Sequence, residues 1–410
     1  MKQLRALLFW THLVAGTAAG LVILVLSLSG AALAFKPQIL NAIDTAGFDV
    51  EANGRLPLQA SALAAAVRQA RPGESLRSVT LQRDAASPAS AQVGASTVYL
   101  DPYTGAVLGE ASVRAQQVFR TIENWHRWLA MSGDGRDTGR AVTGVANVAL
   151  LFLALSGVYL WWPRGWTLRH LRPIAWFTRA STGRARDFNW HNVAGFWMAP
   201  MIVVMTATGA VMSYPSLNGL LQAATGAGAA GEAVRPGGER GRPEGTARGG
   251  RPGAGGPVQT AVVVDDAVVD EAVNEATTRQ AEWSSATVEM PRAAGGALNV
   301  MVSTGGTTPA SRSQLVVDSS TGSVVRWQPP AAGSVFQRVR SWVRFAHTGE
   351  QWGVAGQALA GLGCLASAVL VWTGLSLALR RLAGALHRKR TRREVLTAAG
   401  ASSQYVVADL

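Results

Sequence analysis

Four of the chain's six histidines, His12, His126, His191 and His347, lie in or beside long apolar stretches. An ionisable ring is costly there unless it serves a function. An imidazole can move a proton or give a nitrogen lone pair to a metal. The sequence lacks the companions that hydrolysis needs. No Asp, Glu, Lys or Arg interrupts the apolar stretches, no H-E-x-x-H occurs, and no Ser/His/Asp arrangement is discernible. The single cysteine, Cys364, lies in the last stretch and can form neither an intrachain disulfide nor a cysteine-based metal site. Metal ligation for electron transfer is the chemistry that remains. The other two histidines, His170 and His387, sit among arginines and read as solvated basic residues.

The elements that must position these rings are membrane-length helices. Apolar residues make up 48% of the chain and charged residues only 15%. They gather into runs at residues 6–35, 141–162, 192–214 and 352–379, each able to cross a hydrocarbon core of roughly 30 Å. The first run follows Lys2 and Arg5 and ends "AALAF", like a signal-peptidase site. It is nearly twice as long as a signal peptide's apolar core of about 7–15 residues, so it reads as a retained helix. Arginines at 164, 169, 172, 179, 184 and 186, and the tail "RRLAGALHRKRTRRE", place that loop and both termini on the cytoplasmic side. Trp161, Trp162 and Trp166 form an aromatic belt at the inner interface. The net charge of +13 is thereby explained by topology, without nucleic acid as a partner.

Depth sorts the four rings. His12 and His191 start helices that run outward, so both lie near the inner face. His126 and His347 precede helices that run inward, so both lie near the outer face. Two helix-borne imidazoles at matched depth form an axial pair for a haem iron, giving one haem near each face. No C-x-x-C-H occurs, so the haems are of the non-covalent b type. Gly16, Gly20, Gly30, Gly195 and Gly209 either admit a flat macrocycle or serve close helix packing.

The chain also repeats itself. A shift of 179 residues, the interval from His12 to His191, lays Gly16 on Gly195, Gly30 on Gly209 and Phe35 on Tyr214. A shift of 217, from Trp125 to Trp342, lays "DPYTGAVLG" on "DSSTGSVVR", Gly144 on Gly361 and Gly157 on Gly374. Under that shift His126 falls on Val343 and His347 on Ala130, a displacement of one helical turn. Each copy holds a helix followed by short β-type runs: "LRSVTLQR", "STVYLD" and "AVLGE" in the first, "SATVEM", "ALNVMVS" and "SQLVVD" in the second. The expected fold is a membrane protein with four transmembrane α-helices in a duplicated arrangement and two small α+β outer modules. The Gly/Pro/Arg-rich stretch between the third helix and the second outer module reads as a disordered linker. It contains Gly226, Gly228 and Gly231 in a G-x-G-x-x-G pattern, but no strand feeds the turn and no β-α-β unit surrounds it, so no dinucleotide site is expected.

The segments "WTHLVAGTAAGLVILVLSLSGAALAF", "VYLDPYTGAVLG", "NWHRWLA", "LALSGVYLWWPR", "WHNVAGFW", "FAHTGEQWGVAGQ" and "VWTGLSLALRR" carry a resemblance that covers nearly all 410 residues. In them the chain resembles the PepSY-associated transmembrane family, whose best-understood members are inner-membrane ferric-siderophore reductases of Gram-negative bacteria. The resemblance implies four helices, two periplasmic PepSY modules and b-type haems, with His12, His126, His191 and His347 matching the family's membrane histidines. The implied layout is helix 6–35, module 36–115, amphipathic segment and helix 116–162, cytoplasmic loop 163–189, helix 190–214, linker 222–257, module 258–330, amphipathic segment and helix 331–381, and tail 382–410. The implied activity is reduction of a periplasmic ferric siderophore or other ferric chelate, with quinol or a separate reductase as donor. The alternatives are a haem subunit serving another acceptor, and a non-enzymatic PepSY module that binds or inhibits peptidases.

Overall fold

A backbone in hydrocarbon must satisfy its own hydrogen bonds, so long apolar runs fold as helices, while alternating runs outside it can pair as strands. Both occur in the computed structural model of the chain, which describes residues 2–162, 167–178, 182–226, 264–291, 293, 295–306, 308, 311–330 and 332–407. The helices are α1 (Lys2–Leu33), α2 (Lys36–Asp44), α3 (Ala60–Ala70), α4 (Val113–Trp128), α5 (Gly135–Trp161), α6 (Leu168–Ala175), α7 (Gly183–Ser213), α8 (Pro215–Ala224), α9 (Asp266–Arg279), α10 (Val335–Thr348) and α11 (Gly353–Val407). The strands are β1 (Leu76–Gln82), β2 (Ala89–Val93), β3 (Ser96–Leu100), β4 (Val107–Glu110), β5 (Ser285–Glu289), β6 (Ala297–Ser303), β7 (Arg312–Asp318) and β8 (Val324–Gln328). Residues 227–257 of the linker, residues 258–263 at the start of the second module, Arg164, Trp166 and Arg179 lie outside the described residues. The chain divides into two units.

The helical unit comprises Met1–Ala34, Glu123–Tyr214 and Ala358–Leu410. Among the described residues, four helices are long and apolar enough to cross a membrane: α1, α5, α7 and the stretch Glu350–Thr391 that holds most of α11. At 1.5 Å per residue, the 32 residues of α1 exceed the hydrocarbon thickness. Helix α5 packs on both α1 and α7. Helix α11 touches the same two: a Cβ on Gly20 of α1 would contact Leu375 at 3.5 Å, and one on Gly363 would contact Met201 of α7 at 3.3 Å. Leu21, Val145, Trp372 and Leu379 point outward and exposed, as a lipid-facing surface requires. Polar side chains find internal partners instead. Asn147 of α5, for example, donates to the Thr206 carbonyl of α7 at 2.8 Å.

The sheet unit comprises Phe35–Ile122 and Pro215–Gln357. Its strands form one antiparallel sheet in the order β4-β3-β2-β1-β5-β6-β7-β8. Instead of two separate small sheets, the two four-stranded halves join edge to edge through β1 and β5, with Val79 opposite Val288. Inward positions alternate with outward ones, and Leu63 of α3 and Ala276 of α9 pack with Val79, Val288, Leu298 and Leu315 in a single core. The two helices are tied by Asp270, which accepts from the backbone N–H and hydroxyl of Ser61. The halves use the same turn after their third strand. Asp101 accepts from the N–H of Tyr103 and Asp318 from that of Ser320, both at 2.8 Å. Gly105 and Gly322 take φ of 73° and 72°, a left-handed conformation that a side chain would strain. The Ser320 hydroxyl and the N–H groups of Ser320 and Thr321 hold the Asp318 carboxyl below the usual carboxylate range.

Strand β2, "ASAQV", was not among the sequence-read strands, because Ala, Ser and Gln carry little β preference and only its neighbours commit it to the sheet. Strand β8 was missed as well. Helix α5 starts earlier than its apolar run, taking in Arg136, Asp137 and Arg140. Its entry is shaped by α4. After Trp128 the chain turns through left-handed Leu129 and Ala130, and Thr143 donates back to the Arg127 carbonyl at 3.2 Å. Gly139 lies directly against the Trp128 carbonyl, where a Cβ has no room.

Gly139→Ala should therefore lower stability by about 2 kcal/mol or more, through displacement of backbone against backbone. Gly135→Ala, whose Cβ would meet only Met131 at 3.5 Å, should be close to neutral. Thermal unfolding of the two detergent-solubilised variants, followed by circular dichroism, checks the difference.

Candidate functional site

His12 is in the second turn-pair of α1 and His191 in the first half of α7, so each ring is presented by a rigid helix. The structure brings the two together: their centroids lie 6.4 Å apart with planes at 76°. Both residues are partly buried. Each ring is held by a different third element. His12 Nδ1 meets Ser156 Oγ of α5 at 2.8 Å, and His191 Nδ1 meets Thr373 Oγ1 of α11 at 2.9 Å. All four long helices thus contribute one polar residue to this site. Next to each hydroxyl stands a glycine. A Cβ on Gly157 would lie 3.5 Å from His12 Cε1, and one on Gly374 would lie 3.4 Å from His191 Cε1.

The pairing has a chemical consequence. The side-chain hydrogen bonds of both rings run through Nδ1, so that with the proton on Nδ1 each ring would offer an Nε2 lone pair to another ligand. An imidazole nitrogen sits roughly 2 Å from a bound transition metal, so two rings on opposite sides of one ion have centroids roughly 6 Å apart. Among the described residues no group of three or more His, Cys, Asp and Glu converges. A metal held by this pair must bring its remaining ligands with it. One turn beyond Gly157 on α5, the Trp161 indole N–H is buried and has no acceptor among the described residues; its ring contacts Trp162 and Phe196.

His126 occupies the last turn of α4 and reaches α1. Its Nδ1 meets Ser29 Oγ at 2.9 Å and the Leu26 carbonyl at 3.1 Å. Gly30 makes the approach possible, since a Cβ there would stand 3.2 Å from His126 Cε1 and 2.9 Å from Cys364 Sγ. Residues 12 and 29 are separated by roughly 25 Å of helix, so α1 serves two histidine sites at well-separated levels. His347 belongs to the sheet unit, in the last turn of α10, and is partly buried. That helix starts with a Ser334/Gln337 capping box and ends at left-handed Gly349. Of the two arginine-flanked histidines, His170 lies in α6, and His387 is exposed on α11.

Several glycines have packing partners in place of a ring. Gly16 abuts Leu153, Gly20 abuts Val371 and Leu375, and Gly195 abuts Leu370. The hydroxyl residues Ser29, Ser156 and Thr373 were not singled out from sequence, although the repeat shift of 217 does lay Ser156-Gly157 on Thr373-Gly374.

Sequence reasoning also missed Asp187. It sits one turn before His191 on α7 with only 2% of its side chain exposed. Its carboxylate accepts from Ser376 at 2.6 Å and Arg186 at 2.9 Å, with Arg380 at 3.5 Å. Ser376 is one turn beyond Thr373, so α7 and α11 are joined by two successive polar rungs. A carboxylate just outside an apolar run looks like an ordinary loop residue until the helix that carries it is seen.

The sequence pattern of the family described as the PepSY-associated TM region matches residues 9–381. No curated protein matches the chain.

Asp187→Ala removes the lower rung and leaves two guanidinium groups without their shared carboxylate. It should lower stability by about 1–3 kcal/mol, the half-exposed arginines limiting the loss. Asp187→Asn, which keeps an oxygen for Ser376, should lose less. The measurement is the thermal midpoint of each detergent-solubilised variant.

Proposed function

The chain belongs to the PepSY-associated transmembrane family, and from that premise we propose that it is a haem-bearing membrane reductase. In this reading it takes electrons from quinol or a separate reductase and delivers them across the bacterial inner membrane to a periplasmic ferric chelate such as a ferric siderophore. The observation that carries the reading is the His12–His191 pair, 6.4 Å apart with both Nδ1 atoms engaged elsewhere. A haem would suit such a donor set, because it brings most of its iron's ligands with it and would need only the two imidazoles of His12 and His191. Bound there, it would supply one-electron exchange between ferric and ferrous iron.

The chain's own residues have distinct tasks. His12 and His191 would hold the inner group, and His126 with His347 the outer one. The apolar faces of the four helices keep water and bulk acceptors away from the pairs. Ferric iron prefers hard oxygen donors more strongly than ferrous iron does, so delivery of one electron loosens a chelate. The membrane reading places both termini in the cytoplasm and the sheet unit in the periplasm, on the strength of the arginine-rich flanks. The same turn in both half-sheets, and the paired [Ser/Thr]-Gly sites, support a duplicated unit as its architecture.

Protein purified from haem-replete cells should carry about two b-type haems per chain and give a reduced-minus-oxidised visible spectrum to match. Protein without haem would refute the reductase and leave the peptidase-binding role of a PepSY module. His12→Ala and His191→Ala should each lose or severely perturb the same haem and spare the other, and the double variant should cost little more than either single one. His170→Ala and His387→Ala should leave the spectrum intact. If His191→Ala and His347→Ala disturb one and the same haem, the pairing is wrong.

A further inference from the structure

Three histidine rings meet the same two-residue device. Ser29-Gly30 faces His126, Ser156-Gly157 faces His12, and Thr373-Gly374 faces His191, each with the hydroxyl at Nδ1 and the glycine beside Cε1. A hydroxyl has one hydrogen to donate. In all three it lies against the carbonyl four residues back: Ser29 to Val25 at 2.6 Å, Ser156 to Phe152 at 2.6 Å and Thr373 to Val369 at 2.7 Å. With its hydrogen committed there, the oxygen meets the imidazole as an acceptor, so Nδ1 must carry the ring's proton. For His126 the same conclusion follows independently. The Leu26 carbonyl, which can only accept, stands at 3.1 Å from the same nitrogen. A neutral imidazole has one N–H, and its lone pair is then on Nε2.

We propose that Ser156-Gly157 and Thr373-Gly374 are seats that fix the Nδ1–H tautomer of His12 and His191 and aim both Nε2 lone pairs at a single iron. These are positioning residues, and the inference rests on the haem reading for the identity of the metal. The hydroxyl sets the tautomer and the ring's rotation. The glycine lets the ring edge lie close to the helix. An alanine at 157 would be in ordinary contact with the ring, whereas a branched side chain would push it off. Outer partners of this kind orient a ligating histidine and increase its electron donation. Thr208-Gly209 of α7 stands where Ser29-Gly30 stands under the 179-residue shift, and its hydroxyl also donates to the carbonyl four residues back, Val204, at 2.6 Å. The hydroxyl–glycine pair and its back-bond therefore recur under the repeat shift.

The sign of the effect is fixed by the donor. Without an acceptor at Nδ1, the imidazole gives less electron density to iron, and the ferric state loses more than the ferrous. In the purified full-length protein, Ser156→Ala and Thr373→Val should each reduce the ferric preference of one haem about tenfold, a rise of about 59 mV for one electron. That haem should be the one lost in His12→Ala. Its retention should fall about tenfold on the scale of such outer-partner changes, and the second haem should not move. Ser156→Thr and Thr373→Ser should restore potential and spectrum, and Gly157→Val should damage the site where Gly157→Ala does not.

If Thr373→Val and Ser156→Ala leave the potential and the ferric spectrum of a haem-loaded protein unchanged, the seats are overturned while the haem reading stands. Absence of haem from the unsubstituted protein overturns both. Should the variants not accumulate, the unsubstituted ferric protein decides the matter. Its hyperfine-shifted NMR spectrum should show a slowly exchanging Nδ1–H on each inner ligand, and lack of that proton overturns the proposal.

Discussion

An imidazole inside a helix bundle has two nitrogens to account for, and no water nearby to do it. The helical unit is arranged around that constraint. Each ring of the central pair comes from one helix and sends one nitrogen to a hydroxyl on another, so α1, α5, α7 and α11 are joined by two side-chain hydrogen bonds at one level. Those hydroxyls in turn are back-bonded to their own helices, so that they can accept without leaving an unsatisfied donor of their own. Such bonds are modest singly within a membrane, but together they set register and rotation between helices that apolar packing alone would allow to slide.

Small residues make the arrangement possible. Where two helices approach, Gly16, Gly20 and Gly195 receive leucine and valine side chains. Where a ring approaches, Gly30, Gly157 and Gly374 leave space for its edge. These are two uses of one property, the missing Cβ, and α1 shows both. The Asp187–Ser376 contact one turn from the histidine level extends the lacing and anchors Arg186 and Arg380 where the apolar surface gives way to charge.

The sheet unit obeys a different economy. Neither half, with four strands and one helix, would leave its inner edge strand covered, and β1 and β5 pair to remove two exposed edges at once. The shared core under α3 and α9 follows, because the joined sheet has one continuous apolar face. The result is one folded body made from two stretches of chain separated by a membrane-helix pair in sequence.

What the sequence by itself determined was local and periodic. Apolar runs of membrane length gave the long helices, alternation gave six of the eight strands among the described residues, and Asp-x-x-Thr-Gly gave the turns. The match of His12 to His191 by shift singled out a pair that the fold does bring together. What only the tertiary structure decided was which hydroxyl faces which ring, that Asp187 is buried, and that two modules are one sheet. Serines and threonines are common in membrane helices, and their local sequence looks alike whether they merely back-bond or also accept from a ring. A strand such as β2 has no pattern of its own and exists because β1 and β3 flank it. The hydroxyl–ring contacts and the joining of the two half-sheets depend on residues 97 or more positions away, as in Ser29 with His126 and Val79 with Val288, and no window of sequence spans such a distance. Local propensity and periodicity act within a helix turn or a strand, whereas partner choice is an energy that exists only after the chain has closed on itself.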